Sequence, residues 1–397
     1  MSLEGPPEAN VLIGGRKYQY HAGSGFLGLQ SHPRVMAAMC EAVLQFGLGT
    51  ATPRTTFTSV PVFEVETLAA RLLRTERAMY FGSGFLVAAV VLQGLTGTYD
   101  RIFIDEAAHP ALFDAARMVT NGQNVSLQNI QRYPHRDGAA LEKMLKQQLS
   151  PRERPLVLTD GVFPMLGTIA PIDELQKMLA AFPGSAILID DSCGLGILGP
   201  NGLGTAEHFG ISSNAINRTA TDTEALDDAF LSSSSIYDLN VPMYSFSSLS
   251  KAIGTFGGLI AGTESFVQRM AERSSIFAAA SPPPSPIAAA TVCGLELALA
   301  DSRLRNQLQA NIRHLGQAFR DLGLDVPETP VPIFMLRIGS ALNMRRIHTR
   351  LGELGFLTSL LPRMAGLQTD GALRVVIFAT HTAEMIEKLI DAFRSTI

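Results

Sequence analysis

The sequence predicts an α/β protein with a mostly parallel sheet, followed by a smaller α+β unit. Three observations carry this. Short apolar runs alternate with segments of helical spacing from about residue 78 to residue 190, the pattern of βαβ units. The rhythm changes after Asp301, where helices and short strands are punctuated by Pro327 and Pro330. The chain has 397 residues, 46% apolar, which is enough for a sizeable core and two domains.

Residues 6–60 read as an arm. Gly23 to Leu29 is flexible, Ser31-His32-Pro33-Arg34 is a helix start, and Val35 to Phe46 has helical apolar spacing. Gly47 to Ser59 is rich in Gly and Thr, carries Arg54, and reads either as a surface loop or as a segment lining a site. Val62 to Glu76 is an amphipathic helix. The expected strands are Ala78–Phe81, Arg101–Ile104, Asn124–Asn129, Leu156–Thr159, Ala186–Ile189 and Val241–Phe246. Helices are expected between them, over about 86–95, 111–118, 139–149 and 172–181. Residues 211–237, dominated by Ser, Thr, Asn and Asp, break the rhythm and read as a mobile insertion or flap. Ile287 to Ala300 is a long apolar helix. In the C-terminal part, strands are expected at Ile333–Ile338, Phe356–Leu361 and Leu373–Phe378, with helices at 341–354 and 383–393. The chain thus divides into 1–60, 61–300 and 301–397.

A formal net charge of −4 gives no steering toward nucleic acid or an anionic membrane surface. Cys40, Cys193 and Cys293 are far apart with no CxxC pair, so neither a disulfide framework nor a zinc site is expected. No apolar run has membrane-spanning length, no signal peptide is recognised, and Met1 to Gly5 is set aside as an expression scar. A cytoplasmic enzyme is the expectation.

The candidate chemistry centres on Tyr244 to Gly254, where an apolar strand opens into serines, one lysine and glycines. Small and apolar neighbours desolvate Lys251, which favours its free, carbonyl-attacking amine. Hydroxyls and glycines beside it suit a phosphate. Together they suggest pyridoxal phosphate (PLP) held as a Schiff base. Upstream, Gly82-Ser83-Gly84-Phe85 sits where a strand feeds a helix, and reads as an anion cradle or as a plain tight turn. Asp105 and His109 follow another strand; the imidazole can stack on a planar cofactor, or the pair simply opens a helix. Asp190 ends a further strand, and a carboxylate there can keep a pyridine nitrogen protonated; a magnesium ligand or a loop-start aspartate is the plainer alternative.

Taken in order, Ser83-Gly84-Phe85, Asp105 with His109, Thr159 to Phe163, Ile169-Ala170-Pro171, Asp190-Asp191-Ser192, Gly199 to Thr205 and Ser248-Leu249-Ser250-Lys251 resemble the α-oxoamine synthases. These are aspartate-aminotransferase-like PLP enzymes of fold type I, and the resemblance runs from about Phe26 to Thr382. It implies a large PLP-binding domain over 61–300, a small domain over 301–397, and a homodimer with sites at the interface. It assigns Lys251 as the Schiff-base and proton-moving lysine, Asp190 to the pyridine nitrogen and His109 to the ring face. The amides of Ser83, Gly84 and Phe85 with the Ser248 hydroxyl take the phosphate, and Arg374 takes the amino acid carboxylate. The implied reaction condenses a small amino acid with an acyl-CoA thioester, with decarboxylation.

Departures from the family pattern surround the cofactor. Where the family carries a cofactor-contacting histidine, position 193 is cysteine, read as apolar filler, substitute hydrogen-bonder or reactive thiol. The family's Phe-Ser-Met-Asp-Gly is Phe163-Pro164-Met165-Leu166-Gly167 here, and its Phe-Ser-Thr is Phe277-Ala278-Ala279. These losses motivate two rivals, a PLP-dependent aminotransferase or lyase and a degenerate non-catalytic subunit.

Overall fold

The structure is a computed structural model that describes residues 2–120, 126–218, 241–363, 366–367 and 371–397. Its centre is a seven-stranded sheet in the order β3-β9-β8-β7-β6-β4-β5. The strands are β3 (Arg77–Phe81), β4 (Arg101–Asp105), β5 (Ile130–Tyr133), β6 (Pro155–Asp160), β7 (Ala186–Asp190), β8 (Met243–Ser248) and β9 (Gly258–Gly262). All neighbours pair in parallel except at β9, which runs antiparallel to both β3 and β8. Central β6 is buried at every position, as a parallel strand covered on both faces must be. The expected strand at 124–129 is displaced: residues 124 and 125 lie outside the described ones, Leu127–Asn129 is a 3-10 turn, and pairing with β4 begins at Ile130 opposite Ile102.

The chain opens with a hairpin that the sequence reading left inside the arm, β1 (Asn10–Ile13) and β2 (Arg16–Tyr20). Gly14 and Gly15 form its two-residue turn, both with positive φ (58° and 72°), as such turns require. Helix α1 (Pro33–Phe46) starts where expected, the His32 side chain accepting from Arg34 N at 3.3 Å. It packs, with α2 (Val60–Leu73), on the apolar helix Ser285–Leu295. Two smaller sheets complete the molecule, β1-β2-β11 and β10-β13-β12, with β10 at Ile333–Leu336 and β13 at Ala372–Val376. The strand expected over 356–361 is split at Thr358. Phe356–Leu357 (β11) extends β2 in parallel, and Ser359–Leu361 (β12) pairs antiparallel with β13. One apolar cluster runs from Phe26 through α2 to Phe393, so the N-terminal segment is part of the core.

Of the polar segment 211–237, residues 219–237 lie outside the described ones. Its start is stitched into the sheet: the Asn217 amide donates to Ser245 O and Ala261 O, both at 2.7 Å, and its oxygen accepts from Ser245 N at 2.8 Å.

His21 and His381 stack face to face in the core, centroids 4.4 Å apart, both almost fully buried. Burial lowers the pKa of both, that of His21 to about 4 from 6.5. Below pH 6.5 the unfolded chain takes up a proton at His21 that the folded chain refuses until about pH 4. Stability is therefore full above pH 6.5 and falls as pH drops through this window, by about 3 kcal/mol from His21 alone. The urea midpoint measured from pH 8 to pH 4 should fall on acidification, and less steeply in His21→Gln.

Candidate active site

The candidate residues meet at the carboxyl edge of the large sheet, where open α/β sheets bind ligands. β7 delivers Asp190 and β8 delivers Ser248 and the lysine turn, and these two strands are neighbours. Asp190 is buried and its Oδ1 accepts from Ser192 N at 3.0 Å and from Ser192 Oγ. Ser192 Oγ in turn accepts from Ser248 N at 2.8 Å, so one hydroxyl ties both strand ends together. Burial raises the Asp190 pKa, while the Ser192 donors and the charges of His109 and Lys251 oppose the rise.

His109 stands at the entry to α4 (Pro110–Thr120). Its backbone N donates to Asp160 Oδ2 at 3.0 Å, and its ring sits edge-on to Phe85, centroids 6.3 Å apart. Desolvation lowers its pKa, Asp190 raises it and Lys251 lowers it further. His109, Asp190 and Lys251 are thus within electrostatic reach of one another. Asp160, the register partner of Asp190, is buried, and its Oδ1 has no hydrogen-bond partner among the described residues. Desolvation, with the nearby negative charge of Asp190, pushes its pKa well up.

The turn after β3 meets the turn after β8. A Cβ on Gly84 would overlap Ser248 Oγ and stand 2.7 Å from Ser248 Cβ and 3.0 Å from Gly257 O. Only glycine lets these turns touch, which brings the Ser248 hydroxyl beside the start of helix α3 (Val87–Gly94). Ser83 Oγ accepts from Leu86 N at 3.3 Å, holding the turn open-ended toward that helix start. Backbone N–H groups and hydroxyls in such a concavity suit a phosphate. Gly84→Ala is therefore expected to weaken PLP affinity about tenfold by displacing one charge-assisted donor, and to lower the melting temperature because the two turns must move apart. Equilibrium titration of apoenzyme with PLP reads this directly.

Lys251 is half-buried on the turn after β8, and its carbonyl accepts from Gly254 N at 3.1 Å. Cys193 feels Lys251, Asp190, Asp160 and Arg374, which places the thiol in their midst. It is 3% exposed, and burial pushes its pKa to about 12. It is therefore a neutral thiol at physiological pH, which removes the reactive-thiolate reading. Arg374 reaches the site from β13. Its Nε donates to Pro164 O at 2.9 Å and one Nη to Gly23 O at 3.2 Å. Among the described residues no carboxylate pairs with this buried guanidinium. Leu166, where the family carries a carboxylate, is buried in the core.

All nine sequence candidates, Ser83, Gly84, Phe85, His109, Asp190, Cys193, Ser248, Lys251 and Arg374, lie on the turns and strands just described. Sequence reasoning quoted Ser192 and Asp160 without a role, and no local pattern marks either. Asp105 anchors loops: it accepts from Ala107 N and Arg136 N, each at 2.9 Å, and pairs with His135 Nδ1 at 2.9 Å. Asp191, beside Asp190, is likewise turned away from the cluster, accepting from Thr205 N at 2.8 Å and Thr205 Oγ1 at 2.5 Å.

A half-buried amine, a buried carboxylate, a flat imidazole and a hydroxyl-and-amide cradle at one sheet edge are the donor set that PLP needs, and the residues fit it. This is a fold type I PLP-dependent transferase. The chain belongs to the aminotransferase class I and II family, whose model matches residues 23–393, and within it to the α-oxoamine synthases. It is 31% identical over 397 residues to an 8-amino-7-oxononanoate synthase of Methylococcus capsulatus, covering 100% of this chain and 93% of that protein. It is 30% identical to another of that name from Nitrosospira multiformis, covering 99% and 90%. In fold it is similar to a serine palmitoyltransferase from S. paucimobilis solved with bound PLP and myriocin (TM-score 0.83, 22% identity, 100% of this chain and 91% of that one). It is also similar to an 8-amino-7-oxononanoate synthase from Francisella tularensis (TM-score 0.72, 21% identity, 95% and 96%). The chain is an enzyme, a PLP-dependent acyltransferase that condenses an amino acid with an acyl thioester and releases CO2. The degenerate-subunit reading is set aside.

Proposed function

We propose that the amino acid is small, of alanine size, that the acyl donor is a CoA thioester, and that Lys251, Asp190, His109 and Arg374 carry the reaction. The supporting observation is the convergence of the first three at one strand edge, faced by an Arg374 with no acidic partner among the described residues. The relatives' product name supports the substrate class. Cut between its keto carbon and its amino-bearing carbon, 8-amino-7-oxononanoate divides into an aminoethyl unit, which is alanine without its carboxylate, and a seven-carbon acid.

When bound, PLP supplies a pyridinium ring that takes up the electron pair left at the amino acid's α-carbon. Asp190, kept in place by both Ser192 donors, holds the proton at the ring nitrogen. His109, its backbone fixed by Asp160, would lie against the ring face. Ser248 and the amides of 83–85 would seat the phosphate. Lys251 Nζ takes the α-proton and later returns one. Arg374 holds the substrate carboxylate, a charge-assisted pair suited to its two-pronged fork. A carbon–carbon bond forms between the α-carbon and the acyl carbon as the carbon–sulfur bond breaks; the thiolate takes a proton from solvent, the carboxylate departs as CO2, and the α-carbon takes the proton that Lys251 returns. Cys193 fills the space of the family histidine without supplying an acid or base.

We further propose a homodimer, cytoplasmic location and the division 1–60, 61–300 and 301–397. Exposed Met36, Met39, Leu44, Leu48, Phe57 and Phe63 on and after α1 support the homodimer, as an apolar face of this kind calls for a cover. Free thiols at Cys40, Cys193 and Cys293 support a reducing compartment. No helix among the described residues is long and apolar enough to cross a membrane.

The test is a screen of small amino acids against acyl-CoAs of increasing length, read by free thiol and CO2. Thiol release that depends on the amino acid supports condensation. Keto acid without thiol overturns it in favour of transamination, the reading that the missing imidazole at 193 motivates.

A further inference from the structure

Arg374 is not alone at the carboxylate end of the site. Tyr20, the last residue of β2, turns its hydroxyl onto Gly23, where a Cβ would stand 2.6 Å from Tyr20 Oη. Gly23 has φ +81°, so a side chain at this position would be strained as well as blocked. The same Gly23 presents its carbonyl to Arg374 Nη at 3.2 Å. The phenol and the guanidinium therefore share one glycine as their floor. Each also feels the other's charge: burial raises the Tyr20 pKa and Arg374 opposes the rise, while Tyr20 counters the drop that burial imposes on Arg374. The Tyr20 ring is fixed from behind by Phe378, centroids 5.8 Å apart. Tyr20 as a residue is half-buried, and no hydrogen bond is formed by its hydroxyl among the described residues.

We propose that Tyr20 is a specificity-determining residue, its hydroxyl donating the second hydrogen bond to the amino acid carboxylate held by Arg374. A carboxylate gripped by a guanidinium still has lone pairs to spare, and a neutral O–H beside the cation fills one without adding repulsion. The inference rests on the reading of Arg374 as the carboxylate's receiver.

The experiment is an equilibrium titration of the holoenzyme with L-alanine and with L-alaninamide, followed by the cofactor's absorbance, in wild type, Tyr20→Phe and Arg374→Gln. Tyr20→Phe keeps the ring on Phe378 and removes only the hydroxyl. It should raise the alanine Kd about tenfold, as loss of a hydrogen bond to a charged group does, and leave alaninamide binding within about twofold. In turnover assays the loss should fall on KM for the amino acid and not on kcat. If Arg374→Gln weakens alanine binding while Tyr20→Phe changes neither ligand, the role of Tyr20 is wrong and that of Arg374 stands. If Arg374→Gln leaves alanine binding unchanged, the carboxylate reading fails and takes the inference with it. Should Tyr20→Phe not fold, Tyr20→Leu is read in the same titration, with the same discrimination between acid and amide deciding the outcome.

Discussion

Replacing Lys251 with alanine is expected to lower thiol release from acyl-CoA by about four powers of ten, because in the proposed reaction one amine is both covalent anchor and proton carrier. No other amine in the described structure is placed in the electrostatic neighbourhood of Asp190 and His109. The fold should survive, since what the turn takes from residue 251 is its carbonyl, which accepts from Gly254 N. The variant should also lose a mass signature. Borohydride treatment of wild type should fix the cofactor's mass to the peptide containing Lys251, and no other peptide should carry it in the variant. More than a hundredth of the wild-type rate in Lys251→Ala, with an intact circular dichroism spectrum, would show the assignment to be wrong.

Asp190→Asn is the second large effect. The amide is isosteric and its oxygen still accepts from Ser192, so position and packing are kept. What disappears is the negative charge in a buried setting, where such a term is worth about 10² to 10³ in turnover. Burial raises the pKa of this carboxyl, and the Ser192 donors with His109 and Lys251 oppose the rise. Ser192→Ala should therefore reproduce part of the loss. Asp191→Asn is the control beside it. Burial raises the Asp191 pKa to about 7, but its oxygens are spent on Thr205, so the change should lower melting temperature while leaving the rate per folded molecule near wild type. Equal losses at 190 and 191 would mean that the wrong carboxylate had been placed under the ring.

Much of the large sheet was legible because it rests on local chemistry. Apolar runs such as Arg101–Ile104 and Leu156–Thr159 are buried on both faces, and their ends carry the polar residues that a ligand edge requires. Elements whose existence depends on distant partners were harder to read. The β1–β2 hairpin was passed over although Gly14-Gly15 between two short runs is a recognisable turn; the polar Arg16–Tyr20 run hid it. The 356–361 strand was seen as one piece because nothing in its own residues says that its halves pair with β2 and β13. The same holds at the site. Ser192 and Asp160 carry no pattern, and their importance lies in what stands opposite them, Ser248 N and His109 N.

By itself the sequence determined the α/β class, the order of the strand ends and the family that the ordered motifs match, and it supplied the candidates for amine, ring carboxylate and phosphate seat. Periodicity and strand-end chemistry are written within a few neighbouring residues, and the ordered motifs match one family. Tertiary structure alone shows that the Asp191 oxygens are taken up by Thr205, that Cys193 is buried, and that Tyr20 and Arg374 meet over Gly23. Each of these depends on burial and on contacts between residues far apart in the chain, and desolvation acts through distances that no linear spacing records.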